Sequence, residues 1–188
     1  MRIISGTARG CKLAEFSTKS IRPTSDRVRE AIFSILVSRL GNLSDRIVLD
    51  LFAGTGAMGL EALSRGASKA TFIELSKEAT GLIHKNAVSA KLLDKTNIVQ
   101  ADVRHYLTLQ KGVFDLIFMD PPYQEQDITE IVQRIATSNI LKPDGLLCVE
   151  TAYVTPLPDA ATPLVQVDRR KYGSTSISIY GQGDGSDE

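Results

Sequence analysis

Apolar residues follow two spacings that alternate from residue 47 onwards. Short continuous apolar runs, typical of strands buried on both faces, occupy Ile47–Leu51 and residues 70–75, 97–101, 113–119 and 145–150. Between them, apolar residues recur at helical spacing in segments 57–65, 76 to about 90, a short stretch after Asp102, and 127–138. Strands that alternate with helices predict an α/β fold with a mostly parallel, doubly wound sheet.

The first 41 residues predict a small basic extension. Residues 2–4 and 12–16 resemble two short strands, and a helix follows that is capped by Thr24, Ser25 or Asp26 and ends at Gly41. The net charge of the chain is zero, yet residues 1–30 carry seven bases against three acids, while residues 31–180 carry 15 bases and 16 acids. This asymmetry indicates a polyanionic partner, although a solvated charged face would show the same pattern.

The end of the chain predicts an antiparallel hairpin and a tail. Residues 164–167 and 176–180 resemble two strands joined by a turn at Gly173, placed at an edge of the sheet. The last eight residues are rich in glycine and carry three acids and no base. We therefore divide the chain into a basic extension (1–41), one domain (42–180) and a disordered acidic tail (181–188).

Composition excludes several classes of protein. With 43% hydrophobic residues the chain has enough apolar side chains for a core, and two cysteines are too few for a disulfide scaffold. His84 and His105 are the two histidines, and neither lies near a cysteine, so we expect no metal site. There is no apolar run of about 18 residues and no apolar N-terminal leader, so we expect a cytoplasmic protein without a membrane contact, a monomer by default.

A glycine-rich loop with acidic neighbours is the first candidate site. Gly54, Gly56 and Gly59 match G-x-G-x-x-G between a strand and a helix, so a dinucleotide is one possible ligand. Asp50, at the end of the first strand, would repel a pyrophosphate and attract the ammonium group of S-adenosylmethionine. Glu74, at the end of the second strand, suits ribose hydroxyls in either case.

Asp102 supports the same choice of cofactor. It follows the third strand, where its carboxylate can accept a hydrogen bond from the exocyclic amine of adenine. An ordinary helix N-cap is the alternative role, and the two roles can coexist. Together with Asp50 and Glu74, it places acids at three successive strand ends, which favours S-adenosylmethionine over a dinucleotide.

The second candidate site is Asp120-Pro121-Pro122-Tyr123, directly after the fourth strand. The two prolines remove backbone donors and hold the loop extended, so that it presents a carboxylate and carbonyl oxygens. Two acceptors that bind the hydrogens of a nucleobase amine would localise its lone pair for attack on a methyl group. Tyr123 would stack on a base that has been turned out of its helix.

The residues also resemble a known family. The loop from Asp50 to Gly56 is similar to the cofactor loop of class I S-adenosylmethionine-dependent methyltransferases, and Asp120–Tyr123 to the motif of enzymes that methylate nucleobase amines. More specific stretches resemble the RsmD family of bacterial 16S rRNA guanine-N2 methyltransferases: RIISG at 2–6, RGCKL at 9–13, RPTSDRVRE at 22–30, LKPDG at 141–145 and KYGST at 171–175. The resemblance covers about residues 1–180, and the tail departs from it.

The resemblance implies a Rossmann-like class I methyltransferase fold, with a seven-stranded sheet, a C-terminal antiparallel hairpin and a small N-terminal β/α extension. It implies methylation of a guanine N2 within the small ribosomal subunit or its assembly intermediate. The implied cofactor residues are Asp50, Phe52, Ala53, Gly54, Gly56, Glu74, Leu75, Asp102 and Val103, with Thr24 or Arg27 closing over the methionine end. Asp120, Pro121, Pro122 and Tyr123 would hold the guanine, and Arg9, Lys12, Arg22, Arg29 and Lys171 would contact RNA phosphates.

The sequence leaves three alternatives open. A DNA adenine-N6 or cytosine-N4 methyltransferase shares the Asp-Pro-Pro-Tyr motif, but 188 residues leave little room for a target-recognition domain. A non-catalytic RNA-binding factor of ribosome assembly would retain the cofactor pocket but would not need Asp120 and Tyr123. A nicotinamide-dependent reductase explains neither Asp50 nor the paired prolines.

Overall fold

A computed structural model of the chain describes residues 1–16, 25–109, 112–122 and 127–183. Within these residues, helices and strands alternate as the apolar spacing predicts. The helices are α1 (Asp26–Leu40), α2 (Ala57–Ser64), α3 (Lys77–Ser89), α4 (Val103–Leu109) and α5 (Ile128–Thr137), with a short 3-10 turn at Leu93–Lys95. The strands are β1 (Ile47–Leu51), β2 (Lys69–Glu74), β3 (Thr96–Gln100), β4 (Phe114–Met119), β5 (Leu141–Ala152), β6 (Ala160–Ala161), β7 (Leu164–Tyr172) and β8 (Thr175–Gln182).

The strands of the described residues form one sheet in the order β3-β2-β1-β4-β5-β8-β7-β6. The first five strands in this order are mutually parallel, whereas β8, β7 and β6 pair in antiparallel fashion. The predicted fold class is therefore confirmed, with the two-residue strand β6 as an eighth member. Because β1 to β5 run in the same direction, their carboxyl ends meet along one edge of the sheet.

Apolar side chains cover both faces of the sheet, as the continuous apolar runs require. All six residues of β4 are buried, because this strand lies in the middle of the sheet. One core contains Phe33, Phe72 and Leu60, and the other contains Ile117, Ile131 and Tyr180. Because both faces are packed, β4 and its neighbours are held in place, and the loops that follow these strands are anchored at fixed positions.

The helices begin and end at the predicted signals. The Ser25 hydroxyl accepts a hydrogen bond from the Val28 N–H at 3.3 Å and caps α1, so Ser25 is the cap among the three candidates. Gly41 ends this helix at a φ of 74°, in the left-handed region that favours glycine. The Ser76 hydroxyl caps α3 in the same way through the Ala79 N–H.

The N-terminal arm, residues 1–16, is less regular than the two predicted strands. The structure forms a single antiparallel bridge, between Arg2 and Lys12. Several arm backbone groups bond instead with side chains of the helices: the N–H groups of Ile4 and Ser5 donate to the Glu61 carboxylate, at 2.7 and 3.0 Å. These bonds compete with strand pairing and fasten the arm to α2.

The arm is also part of the main core. The side chains of Ile3 and Leu13 are buried in the same cluster as Phe33 and Phe72. Gly6 passes so close to α2 that a β-carbon there would lie 1.8 Å from the Ser64 carbonyl oxygen, and its φ is +83°. A side chain at this position would push the arm off the helix.

The C-terminal strand continues further than the sequence predicts. β8 extends to Gln182, two residues into the segment that we predict to be a disordered tail. Gly181 pairs with Val165, so the ladder with β7 extends to the end of the strand. Residues 184–188 lie outside the described residues. In the described part of the chain, none of the helices has the length and apolarity needed to span a membrane.

Candidate active site

The glycine loop curves tightly between β1 and α2. The Ala53 N–H donates to the Ile73 carbonyl at 3.1 Å, and the Gly56 N–H donates to the Ala53 carbonyl at 2.7 Å. Phe52 and Gly54 have φ values of 57° and 54°, both in the left-handed region. For Phe52 this conformation is strained, a condition that is common where a loop binds a ligand. A β-carbon on Gly54 would have the Phe52 carbonyl oxygen, at 3.9 Å, as its nearest neighbour, so this side of the loop is open.

Asp50 lies buried beneath this loop. Its Oδ2 accepts a hydrogen bond from the Gly59 N–H at 2.9 Å, in the first turn of α2. Burial raises the pKa of Asp50 to about 7, and the charge of Glu74 adds to the effect, while the bond from Gly59 lowers it. Gly59 is required here because a β-carbon would lie 2.3 Å from Cε1 of Phe72. A cationic ligand beside Asp50 would therefore stabilise the charged form of its carboxylate.

The Glu74 carboxylate joins the two turns that follow β1 and β2. Its Oε2 accepts from the Gly54 N–H at 3.0 Å and its Oε1 from the Ser76 N–H at 2.9 Å. The next residue, Leu75, is 65% exposed although it is a large apolar side chain. An oriented carboxylate beside an exposed leucine suits a ribose with an attached aromatic base.

Asp102 caps α4 after β3. Its Oδ1 accepts a hydrogen bond from the His105 N–H at 3.1 Å, so the helix-capping role is present. Val103 was predicted to contact the cofactor, but its side chain is buried in the core. A contact between a ligand and this residue would have to be made by its backbone.

Asp120 follows β4, and its side chain is accessible to solvent at the edge of the sheet, where neighbouring protein atoms still displace part of its hydration. Met119 pairs with Val149, so the strand register brings Asp120 level with Glu150 of β5. Desolvation raises the pKa of Asp120 well above the ordinary aspartate value, and the charges of Glu150 and Asp50 add to the shift. Pro121 is buried and Pro122 is exposed.

Five acids thus follow the carboxyl edge of the sheet in the order Asp102, Glu74, Asp50, Asp120 and Glu150. The sequence predicts the first four. Glu150 was missed, although it ends an apolar run as the others do, because no motif accompanies it. Tyr123 and Thr24 lie outside the described residues. Arg27, in the first turn of α1, is exposed.

Of the predicted RNA contacts, Arg9, Lys12 and Lys171 are exposed, and Arg22 lies outside the described residues. The prediction for Arg29 is wrong. Its side chain is 1% exposed, and its Nη2 donates to the Arg2 carbonyl and to the Asp26 carboxylate, at 2.6 and 2.9 Å. A buried guanidinium with these partners does not face an external phosphate, and it fastens the arm to α1 instead.

The buried amide of Asn86 joins the arm to the glycine loop. Its Oδ1 accepts from the Ala14 N–H at 2.7 Å, and its Nδ2 donates to the carbonyls of Ala14 and Thr55, at 3.1 and 2.9 Å. Sequence reasoning missed this role, because an asparagine inside a helix has no local signal for a partner 72 residues away. Across the described ranges, no cluster of three His, Cys, Asp or Glu side chains has the arrangement needed for a metal ion.

Comparison with known proteins places this site in a family. The model of the family described as Conserved hypothetical protein 95 matches residues 1–181. The chain is 35% identical over 160 residues to ribosomal RNA small subunit methyltransferase D of Haemophilus influenzae, covering 84% of this chain and 81% of that protein. The counterpart of the same name in Escherichia coli K12 is 34% identical over 158 residues, or 84% and 78% of the two chains.

Solved structures show the same architecture. A hypothetical protein of Thermus thermophilus superposes with a TM-score of 0.81 at 31% identity, over 95% of this chain and 98% of that one. The match thus extends from the arm, across the acid-lined sheet edge, to the C-terminal hairpin. By the family model and by relatives that share at least a third of their residues with it over most of its length, the chain belongs to the RsmD family.

Proposed function

We propose that this protein transfers a methyl group from S-adenosylmethionine to the exocyclic N2 of a guanine in 16S rRNA. The observation that carries the proposal is the position of Asp120 at the sheet edge, close to Asp50 of β1 beneath the glycine loop. This arrangement brings an acceptor for a nucleobase amine beside a carboxylate that suits the charged end of the cofactor.

The residues present fit this cofactor. The pKa of Asp50 is raised to about 7, so a bound ammonium group would compensate a charge that the protein itself compensates poorly. Gly54 leaves open space beside the loop, Glu74 offers its oriented carboxylate to ribose hydroxyls, and the exposed Leu75 offers an apolar surface to adenine. When bound, S-adenosylmethionine supplies an electrophilic methyl group on a sulfonium.

Asp120 has two tasks in this proposal. Its carboxylate and the Pro121 carbonyl accept hydrogen bonds from the two hydrogens of the guanine amine, which makes the nitrogen lone pair available for attack. The nitrogen that gains a methyl group loses one proton, and Asp120 or water accepts it. The raised pKa of Asp120 makes its carboxylate a better proton acceptor than an ordinary aspartate. Cys148 takes no part in this proposal, because it is buried and burial raises the pKa of its thiol.

The substrate class rests on the relatives and on the charge of the arm. The two relatives from Haemophilus influenzae and Escherichia coli are named ribosomal RNA small subunit methyltransferases. Residues 1–30 carry an excess of positive charge, and Arg9 and Lys12 are exposed there. A basic surface of this kind is suited to an RNA backbone.

The test uses purified protein, labelled S-adenosylmethionine, and three substrates: naked 16S rRNA, unmodified small ribosomal subunits, and duplex DNA. We expect label in N2-methylguanosine from RNA or from subunits. Label only in DNA would overturn the RNA assignment, and no transfer to any substrate would favour a non-catalytic assembly factor.

A second experiment tests the role of Asp120. We expect Asp120→Ala to lower turnover at least about 100-fold while cofactor affinity stays within about threefold. Asp144→Asn is the matched control, since Asp144 is an exposed carboxylate near the start of β5, and it should behave as the wild type. Equal loss of cofactor binding and turnover in Asp120→Ala would contradict the proposed role.

A further inference from the structure

A surface of one aromatic ring and two cations lies where the C-terminal hairpin (β7 and β8) meets the end of β5. The Lys171 Nζ is 3.8 Å from the centroid of the Tyr153 ring, and the Arg169 Cζ is 5.6 Å from it. The Arg169 guanidinium is also held by the Ser176 hydroxyl at 3.1 Å and by the Tyr153 carbonyl at 3.3 Å. Tyr153 is 43% exposed and the adjacent Val154 is 87% exposed. We call Tyr153, Arg169 and Lys171 the hairpin patch.

The charges of the hairpin patch are available to a partner. No acidic side chain of the described residues forms an ion pair with Arg169 or Lys171. Arg170, between them, differs: its Nε lies 2.8 Å from the Asp168 carboxylate, and it projects to the other face of the strand. Two exposed cations beside an aromatic ring form a surface with a net positive charge.

Strand register places the hairpin patch beside the candidate active site. Lys171 pairs with Ser176 of β8, which pairs with Thr151 of β5, the residue after Glu150. Glu150 is level with Asp120 on β4. Lys171 is thus three strands from Asp120 along the same edge of the sheet, a separation of about 14 Å at about 4.8 Å per strand, and its side chain leaves the opposite face of the sheet from that of Asp120. Nucleotides next to a target base held at Asp120 can reach this distance.

We propose that the hairpin patch binds the nucleotides that flank the target base, with Arg169 and Lys171 at their phosphates and Tyr153 at a neighbouring base. Paired cations recognise phosphates, and an aromatic side chain stacks on any base, so the combination fits single-stranded RNA. A protein partner would need an acidic surface, but RNA supplies both the charge and the ring. The inference rests on the proposed function, because it takes the position of the target base from Asp120.

The test measures binding of 16S rRNA by filter retention over a series of salt concentrations. Arg169→Gln and Lys171→Gln should each weaken binding about 3- to 10-fold and reduce the slope of log affinity against log salt by about 0.7. Lys69→Gln is the matched control: it removes the same charge from the start of β2, at the opposite edge of the sheet, and should leave affinity and slope near wild type. Tyr153→Ala should weaken binding at least about fivefold, whereas Tyr153→Phe should retain it.

The outcomes separate this inference from the proposed function. If the wild type binds RNA but forms no N2-methylguanosine, the proposed function fails while the comparison of variants still tests the patch. If Arg169→Gln and Lys171→Gln bind RNA as Lys69→Gln does, the inference is overturned. Normal RNA binding with lost binding to whole subunits would also overturn it, because the patch would then contact a ribosomal protein. As a control, each variant should unfold at the same temperature as the wild type, which would show that its fold is intact.

Discussion

Replacing Asp50 by asparagine isolates the energetic cost of burying a carboxylate under the glycine loop. The pKa of Asp50 rises from 3.8 to about 7 on folding, mainly because the side chain loses its water. Between these two pH values, the folded protein keeps a proton that the unfolded chain has released. The free energy of unfolding therefore falls as the pH rises from 3.8 to about 7, and this contribution is constant above 7.

Asparagine has the same shape and can still accept the bond from the Gly59 N–H, but it does not titrate. The free energy of unfolding of Asp50→Asn, minus that of the wild type, should therefore increase by about 2 to 3 kcal/mol between about pH 5 and about pH 8.5. This value corresponds to the two pH units from about 5 to the folded pKa. Using the change between two pH values cancels the contribution of the amide itself.

Urea denaturation of both proteins at the two pH values measures this change, and calorimetric titration measures cofactor binding. At about pH 8.5 the variant should be more stable than the wild type and should bind S-adenosylmethionine at least about tenfold more weakly. A stability difference that does not depend on pH would refute the burial argument. Unchanged cofactor affinity would refute the proposed contact with the ammonium group.

Two further substitutions test the packing beneath the site. Gly59→Ala should lower the free energy of unfolding by about 1 to 3 kcal/mol, because its β-carbon would lie 2.3 Å from Cε1 of Phe72. Gly81→Ala is the control: this glycine lies in α3 with open space around it, so the substitution should raise the free energy of unfolding by up to about 1 kcal/mol. Equal effects of the two substitutions would contradict the clash with Phe72. Glu61→Gln should lower the free energy of unfolding by about 3 kcal/mol, since its amide would face the Ser5 N–H and leave Arg65 without its buried partner. Glu30→Gln breaks the exposed ion pair of Arg65 and should lower the free energy of unfolding by less than about 1 kcal/mol in the same urea denaturation. If it lowered the free energy of unfolding as much as Glu61→Gln does, burial of the Glu61 carboxylate would not explain the loss of stability.

Local pattern predicts the elements of this fold where a single signal dominates. The apolar run of β1 matches its strand residue for residue, because the strand is buried on both sides, starts after Arg46 and ends at the glycine loop. β5 is different: it starts at Leu141, ahead of the predicted 145, and passes through Pro143-Asp144-Gly145 next to a shift of register with β4. These residues usually form turns. The pairs Phe114–Leu141 and Leu116–Leu146 on either side of them keep the segment within the strand, which no local pattern reveals.

The candidate site is also predictable from the sequence only in part. Asp50, Glu74 and Asp120 are predicted from the sequence because each lies at the carboxyl end of an apolar strand, and parallel strands bring these ends together. The prediction that Arg29 contacts RNA is wrong, because this residue lies three positions before Ile32, on the buried face of α1. The charge of an arginine alone does not show which face of a helix it occupies. The hairpin patch depends on the pairing of β7 with β8, so Arg169 and Tyr153, 16 residues apart, show no relation in the sequence.

The hydrogen bonds of Asn86 bear on how the arm and the catalytic domain could change over evolution. One side chain holds both the Ala14 backbone and the Thr55 carbonyl, so the first segment of the chain helps to shape the loop proposed to bind the cofactor. A domain that started at residue 42 would retain Glu61 as a buried charge without its arm partners and would lose Ile3 and Leu13 from its core. The arm is therefore not a separable module, and exchanging it for another segment would require matching changes in α2 and α3.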